Sequence, residues 1–299
     1  MNFLKTAFII VPAFFFISTY SYSQTGWVAQ SSGTSEHLHS VYFFDALTGW
    51  VVGDAGKILK TTNGGTNWIA ETSPSSGDLL SVYFVTSLSG WAVGSSGDII
   101  ATGNGGSSWV LQSTGSTSAL NSVFFMSALT GWAVGEFLTI LKTTNGGTNW
   151  LPLLGGSVSL KSVVFTTLTT GYISGSGGYV SKTTNGGTNW TVYNSSVSYD
   201  LYSIHFPGSG ASTTGYAVGM GSPSPPILKS TDSGLNWTIQ PVPLGNALTS
   251  VYFTDLSTGW AAGWIGSIMH TTNGGANWSD QLSGTSNSLR SIYFANSLT

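Results

Sequence analysis

Thr61-Thr62-Asn63-Gly64-Gly65-Thr66-Asn67-Trp68 returns nearly unchanged at residues 143–150, 183–190 and 271–278, with looser copies at 102–109 and 230–237. Asn-Gly-Gly is a turn signal, because glycine reaches positive φ freely and asparagine tolerates the left-handed region. Between β-compatible segments it is the strongest short-range hairpin signal. An apolar pair precedes it, as in Ile58-Leu59-Lys60, and Trp68 follows, large enough to seal a hairpin against a neighbouring sheet. Each copy therefore predicts a strand, a tight turn and a strand.

The tryptophans that end these copies set a period. Trp27, Trp68, Trp109, Trp150, Trp190, Trp237 and Trp278 are spaced by 41, 41, 41, 40, 47 and 41 residues. A period in the forties with several strands per unit predicts propeller blades. Two further blocks keep the same phase. Ser40-Val41-Tyr42-Phe43 recurs through Ser291 to Phe294, and Gly49-Trp50-Val51-Val52-Gly53 recurs through Gly259 to Gly263. Each unit thus reads as four short strands, here called a to d. They are apolar on both faces, as expected of a sheet packed between neighbours. The fold class is all-β, a β-propeller of four-stranded blades, about seven in number with the last one incomplete. Trp68, Trp150 and Trp190 are expected to be largely buried between a hairpin and the adjacent blade.

The domain reading is a signal peptide at 1–23 and a propeller at 24–299. An N-terminal d strand at 26–30 closes the ring, six full repeats run from about 38 to 288, and a truncated seventh occupies 289–299. The fifth unit has longer a–b and b–c connections, residues 207–214 and 220–226, which account for the 47-residue spacing.

Ser230-Thr231-Asp232-Ser233-Gly234-Leu235-Asn236-Trp237 resembles the Asp-box of bacterial sialidases and related propellers, with Asn for Asp in the other copies. That resemblance implies a peripheral structural turn. The phased Ser-Val-Tyr-Phe, Gly-Trp-Ala-Val-Gly and Thr-Thr-Asn-Gly-Gly-Thr-Asn-Trp blocks from Trp27 to Phe294 resemble the photosystem II stability and assembly factor-like family. The resemblance implies a seven-bladed propeller with BNR/Asp-box repeats. It also implies a partner engaged through an arginine-rich surface in the photosynthetic members, whereas this chain has Arg290 alone. Secreted bacterial chains with similar repeats and a C-terminal sorting domain form the branch that the amino terminus fits.

Lys5 followed by apolar residues 7–17, too short to span a bilayer, and small Ser21 and Ser23 read as a secretory signal. The expected location is secreted, periplasmic or cell-surface, with no transmembrane segment after cleavage. Cysteine is absent, so a disulfide framework and a thiolate metal site are excluded. Charged residues make up 6%, against about 25% in an average globular chain, so Ser, Thr, Asn and Gly must supply the polar surface. So few basic residues leave no footprint for nucleic acid. No cofactor is expected. His37, His39, His205 and His270 read as strand or surface residues, not metal ligands.

The position just after strand b holds Asp54, Ser95, Glu136, Ser176, Met220 and Trp264. These should ring the mouth of the central channel. Asp54, Glu136, Met220 and Trp264 are the candidate partner-binding residues, since they vary while the repeat around them does not. The leading function is a non-enzymatic scaffold that binds a protein or glycan partner through this loop face. One alternative is a propeller glycoside hydrolase using Asp54 and Glu136 as a carboxylate pair, with Trp264 as a sugar platform. Another is a photosystem II assembly factor-like protein. The lysine ring Lys60, Lys142, Lys182 and Lys229, at one repeat position of strand c, should make the opposite face basic.

Overall fold

A computed structural model describes residues 10–11, 26–208, 212–221, 225–243 and 245–295. The signal-peptide expectation lies outside these residues, apart from Ile10–Val11, which pair in parallel with Gln30–Ser31. The last four residues, 296–299, and parts of both long connections of the fifth unit also lie outside them. Among the described residues no helix is long and apolar enough to cross a membrane.

Among the described residues six antiparallel four-stranded sheets follow one another, each a meander in the order a-b-c-d. Blade one comprises Leu38–Phe43, Gly49–Gly53, Ile58–Thr61 and Ile69–Glu71. Blade two comprises Leu79–Phe84, Gly90–Gly94, Ile99–Thr102 and Val110–Gln112. Blade three comprises Leu120–Phe125, Gly131–Gly135, Ile140–Thr143 and Leu151–Leu154. Blade four comprises Leu160–Phe165, Gly171–Gly175, Val180–Thr183 and Thr191–Tyr193. Blade five comprises Leu201–His205, Gly215–Gly219, Ile227–Ser230 and Thr238–Ile239. Blade six comprises Leu248–Phe253, Gly259–Gly263, Ile268–Thr271 and Ser279–Gln281.

The core lies between blades. The strand-b aromatic of one blade stacks on the strand-a phenylalanine of the next, as in Trp50 on Phe84, Trp91 on Phe125 and Trp132 on Phe165, each at 3.5 Å between centroids. The Asp-box tryptophan then meets its own blade's phenylalanine edge-on, at 5.8 Å for Phe125 and Trp150. Burial of the Asp-box tryptophans is graded. Trp150 is 6% exposed, whereas Trp68 and Trp190 are only half-buried.

The connection from c to d is longer than a tight two-residue hairpin. In blade one it runs from Thr62 to Trp68, and Lys60 pairs with Ile69. Thr61 Oγ1 accepts from the backbone N–H of Gly65 at 2.9 Å, and Asn63 Oδ1 accepts from Asn67 N–H at 3.0 Å. Side chains thus replace the ladder bonds that a short turn would have closed. Gly64 and Gly65 take φ of 66° and 82°, the left-handed values that make the pair of glycines necessary.

Blade count differs from the expectation. Among the described residues six blades are complete, and residues 289–294 join no sheet. The segment nonetheless packs Leu289, Ile292 and Phe294 against Trp260, Ala262 and Ile268 of blade six. The expected strand at 26–30 appears instead as Gln30–Ser31, with Trp27 edge-on to Phe294 at 6.1 Å.

A ladder of serines links the innermost segments. Ser40 Oγ accepts from Val82 N–H, Ser81 from Val123, Ser122 from Val163, Ser162 from Ile204 and Ser203 from Val251, all at 3.2–3.3 Å. Ser250 accepts from Ile292 at 3.1 Å, and Ser291 accepts from Val41 at 3.3 Å. The seventh bond returns the ladder to blade one.

Candidate functional site

Two backbone devices build the channel mouth. The first holds the residue after strand b. Its N–H donates to the carbonyl of the residue before strand a: Asp54 to His37, Ser95 to Asp78, Glu136 to Ala119, Ser176 to Ser159, Met220 to Asp200 and Trp264 to Ala247, at 2.8–2.9 Å. The glycine that ends strand b permits this approach, since a Cβ on Gly135 would collide with the Ala119 carbonyl oxygen. The six nominated positions are therefore geometrically equivalent, and their side chains are free to differ.

The second device is a bulge near the start of every strand a. In blade one Leu38 pairs with Gly53 and Ser40 with Val52, which leaves His39 unpaired. The same slip skips Leu80, Asn121, Lys161, Tyr202 and Thr249. A bulge re-aims a side chain out of the alternation of the strand. Here it turns these side chains into the mouth, where they line a cavity of about 260 Å³ together with Trp264 and Arg290. The sequence reading had nominated only the outer ring and missed this inner one.

The two rings are bonded to each other. His39 Nε2 lies 2.5 Å from Asp54 Oδ1. Glu136 Oε1 accepts from Ser159 Oγ at 2.6 Å, Asn121 Nδ2 at 3.0 Å and Lys161 Nζ at 3.1 Å. Burial pushes the Glu136 carboxyl up, but these three hydrogen bonds and the Lys161 charge outweigh it, so its pKa falls below the usual value. Met220 lies with its sulfur 4.0 Å from Tyr202 Oη. Trp264 is 41% exposed and lines the cavity directly.

Asp54 and Glu136 stand on blades one and three with blade two between them. Each is held by its own basic partner, and no hydrogen bond joins them among the described residues. A general acid needs a raised pKa, and Glu136 is shifted the other way. No group of three or more His, Cys, Asp or Glu able to hold a metal ion occurs among the described residues.

Three residues beyond the bulged positions, rings of neighbouring strands a pack on one another. Tyr42 packs on Tyr83 at 5.1 Å and on Tyr293 at 4.8 Å, Tyr83 on Phe124 at 4.9 Å, and His205 on Tyr252 at 4.8 Å. Burial raises the pKa of the tyrosine hydroxyls here. The lysine ring lies at the Asp-box end of strand c, packed against aromatic rings. Lys60 and Lys142 lie over the Trp50 and Trp132 rings at 5.8 and 5.7 Å, and Lys182 and Lys229 over Tyr172 and Tyr216 at 5.6 and 5.7 Å. Cross-strand pairing of b with c places each ammonium there. Lys182 and Lys229 also donate to the Asp-box carbonyls of Ser233 and Gly274 at 2.8 and 2.6 Å. They clamp one blade to the next.

Comparison with known proteins places this architecture. The family model described as Photosynthesis system II assembly factor YCF48 matches residues 19–109, 72–156 and 154–292. No curated protein sequence matches the chain. Among solved structures, YCF48 bound to D1 peptide is 21% identical, with a TM-score of 0.65 over 83% of this chain and 82% of that one. YCF48 from Cyanidioschyzon merolae is 20% identical, with a TM-score of 0.65 over 82% of this chain and 84% of that one. An ancestral GH74 enzyme is 18% identical, with a TM-score of 0.64 over 79% of this chain and 36% of that one. At these identities the structural likenesses show the fold alone, whereas the family model covers most of the sequence: the chain belongs to the YCF48 family of photosystem II assembly factor-like β-propellers.

Proposed function

We propose that this protein is a non-enzymatic propeller that presents its channel mouth to a segment of a partner protein. One observation carries the reading. The bulged positions of the six blades and the matching position 290 hold His39, Leu80, Asn121, Lys161, Tyr202, Thr249 and Arg290, all different, while the next residue is serine in all seven copies. A rigid frame with seven interchangeable side chains around one cavity suits recognition. Binding residues on a rigid scaffold are a common use of such positions. A YCF48 structure bound to D1 peptide supports a peptide ligand for this family member. The partner-binding set is Asp54, Glu136, Met220 and Trp264 together with the inner ring.

The Met1 to Ser23 pattern supports export, so the working location is secreted, periplasmic or cell-surface. Residues 26–31 and 289–294 are read as the outer and inner strands of a seventh blade. Trp27 repeats the phenylalanine contact of the other Asp-box tryptophans, at 6.1 Å against 5.8–6.1 Å. Gln30 bonds to Gly64 and Trp68 of blade one as Gln112 bonds to Gly146 and Trp150.

The test is binding of selected peptides to variants of either face. Met220→Ala and Trp264→Ala should weaken capture without moving the melting temperature. Equal loss from changes in the a–b turns on the opposite face, such as Leu129→Ala, would contradict the assignment.

A further inference from the structure

The turn that builds the fold is also a sequence prone to deamidation. Asn-Gly occurs five times, at Asn63, Asn104, Asn145, Asn185 and Asn273. Asparagine is a thermolabile residue, and a following glycine puts no side chain in the way of the reaction. The glycine nitrogen, having lost its proton, attacks the asparagine Cγ. The new C–N bond closes a succinimide, the bond from Cγ to Nδ2 breaks, and ammonia leaves. Water then opens the ring to aspartate or isoaspartate, and nothing is oxidised or reduced. All five asparagines are exposed, so burial does not withhold water from them.

The loop occupies both reacting groups instead. In blade three the Gly146 N–H donates to the Leu129 carbonyl of the a–b turn at 2.9 Å. Asn145 Oδ1 accepts from Asn149 N–H and from Thr143 Oγ1, both at 3.0 Å. The nitrogen bond recurs at Gly64, Gly105, Gly186 and Gly274, at 2.7–2.9 Å. The same two bonds hold the other four carboxamides, at 2.9–3.0 Å. Attack needs a nitrogen released from its acceptor and a carboxamide free to turn its carbon onto it. Local opening of the loop must therefore come first. The fifth unit shows that the aspartate product fits the closed loop. Asp232 Oδ1 accepts there from Ser230 Oγ, Leu235 N–H and Asn236 N–H at 2.9–3.1 Å.

We propose that the five Asn-Gly turns are deamidation sites held closed by the Asp-box loop, each opened only when its own threonine hydroxyl and a–b turn let go. The inference is independent of what the mouth binds.

The experiment incubates the intact protein at mildly alkaline pH and follows each asparagine by peptide mapping with mass spectrometry. A free octapeptide with the sequence of residues 143–150 is the unprotected reference. All five sites should deamidate at least about tenfold more slowly than the peptide, the factor of one buried hydrogen bond in the opening equilibrium. Thr143→Val removes the hydroxyl that holds Asn145 and accepts from Gly147 N–H at 2.8 Å. It should speed Asn145 by at least about tenfold and leave Asn63 and Asn273 at their former rates. Thr183→Val should move the fast site to Asn185, so either variant decides the matter if the other fails to fold. The unaltered sites in the same molecule separate local opening from general loosening. A rate at any of the five sites equal to that of the peptide would overturn the proposal. So would equal acceleration of all five sites in the variants, or no acceleration at the altered loop.

Discussion

Replacing Trp150 with alanine should unfold the interface between blades two and three first. The indole is 6% exposed, meets the Phe125 edge at 5.8 Å, and donates from Nε1 to Gln112 Oε1 of the preceding blade at 3.0 Å. A buried aromatic removes about 150–250 Å² from water, worth roughly 4–6 kcal/mol gross at about 25 cal/mol per Å². Part of this survives in the alanine and in local collapse, so the expected loss is about 3–5 kcal/mol. For a chain of this size that is a fall in melting temperature of roughly 6–20 °C. Calorimetry and urea unfolding of the purified protein measure it. Two controls separate the cause from general damage. Leu151→Ala, at the neighbouring residue, which is 60% exposed, should change stability by less than about 0.5 kcal/mol. Trp68→Ala should cost less than Trp150→Ala, because Trp68 is half-buried and its Nε1 bond to Gln30 is long, at 3.4 Å. A loss below about 1 kcal/mol for Trp150→Ala, or equal losses at Trp68 and Trp150, would refute the inter-blade packing argument.

Thr143→Val keeps the volume but strands the buried N–H of Gly147, which now donates to Thr143 Oγ1 at 2.8 Å, so it should cost about 1–3 kcal/mol by urea unfolding. An unchanged midpoint would mean that the Asp-box loop is not held by this hydroxyl. His205 gives a pH signature: burial pushes its imidazole down to about 4, against a smaller opposing effect from the Phe253 carbonyl. The folded value lies below the unfolded one of about 6.5, so this stability is complete above pH ~6.5 and is lost as pH falls toward 4. The loss at pH 4 should be ~1–3 kcal/mol, discounted for the part-open channel, and His205→Phe should flatten it. A stability curve with the same slope in both proteins between pH 6.5 and 4 would refute the assignment.

Much of the fold was legible because the repeat compares each blade with itself. The Asp-box glycines, the strand-b glycines and the Ser-Val-Tyr-Phe phase each mark a place where the backbone admits few residues. The burial of Trp150 followed from that pattern, but its difference from Trp68 and Trp190 did not, since it depends on side chains contributed by neighbouring blades. The contacts of the lysines were hidden for a similar reason. Lys60 and Lys142 look like free charges at a strand end, and only cross-strand pairing with Trp50 and Trp132 reveals that each ammonium caps a ring.

The inner ring was missed because a bulge re-aims a side chain without altering composition. The signal was nonetheless present. In Leu38-His39-Ser40 and its copies the outer two residues stay fixed while the middle one changes every time. Blade count illustrates a further gap. The period announces a seventh unit, but a sheet needs a ladder of partners, and among the described residues Leu289 to Phe294 has packing and a serine bond without one.

The most direct test of the channel mouth as the binding site is a hydrogen-exchange footprint of the intact protein with a peptide selected from a random dodecapeptide library. Protection is predicted in the b–c turns and strand-a starts at residues 37–40, 54–57, 119–122, 136–139 and 264–267. Protection confined to the a–b turns, such as residues 44–48 and 127–130, or to the Asp-box loops, with the mouth unchanged, would contradict it.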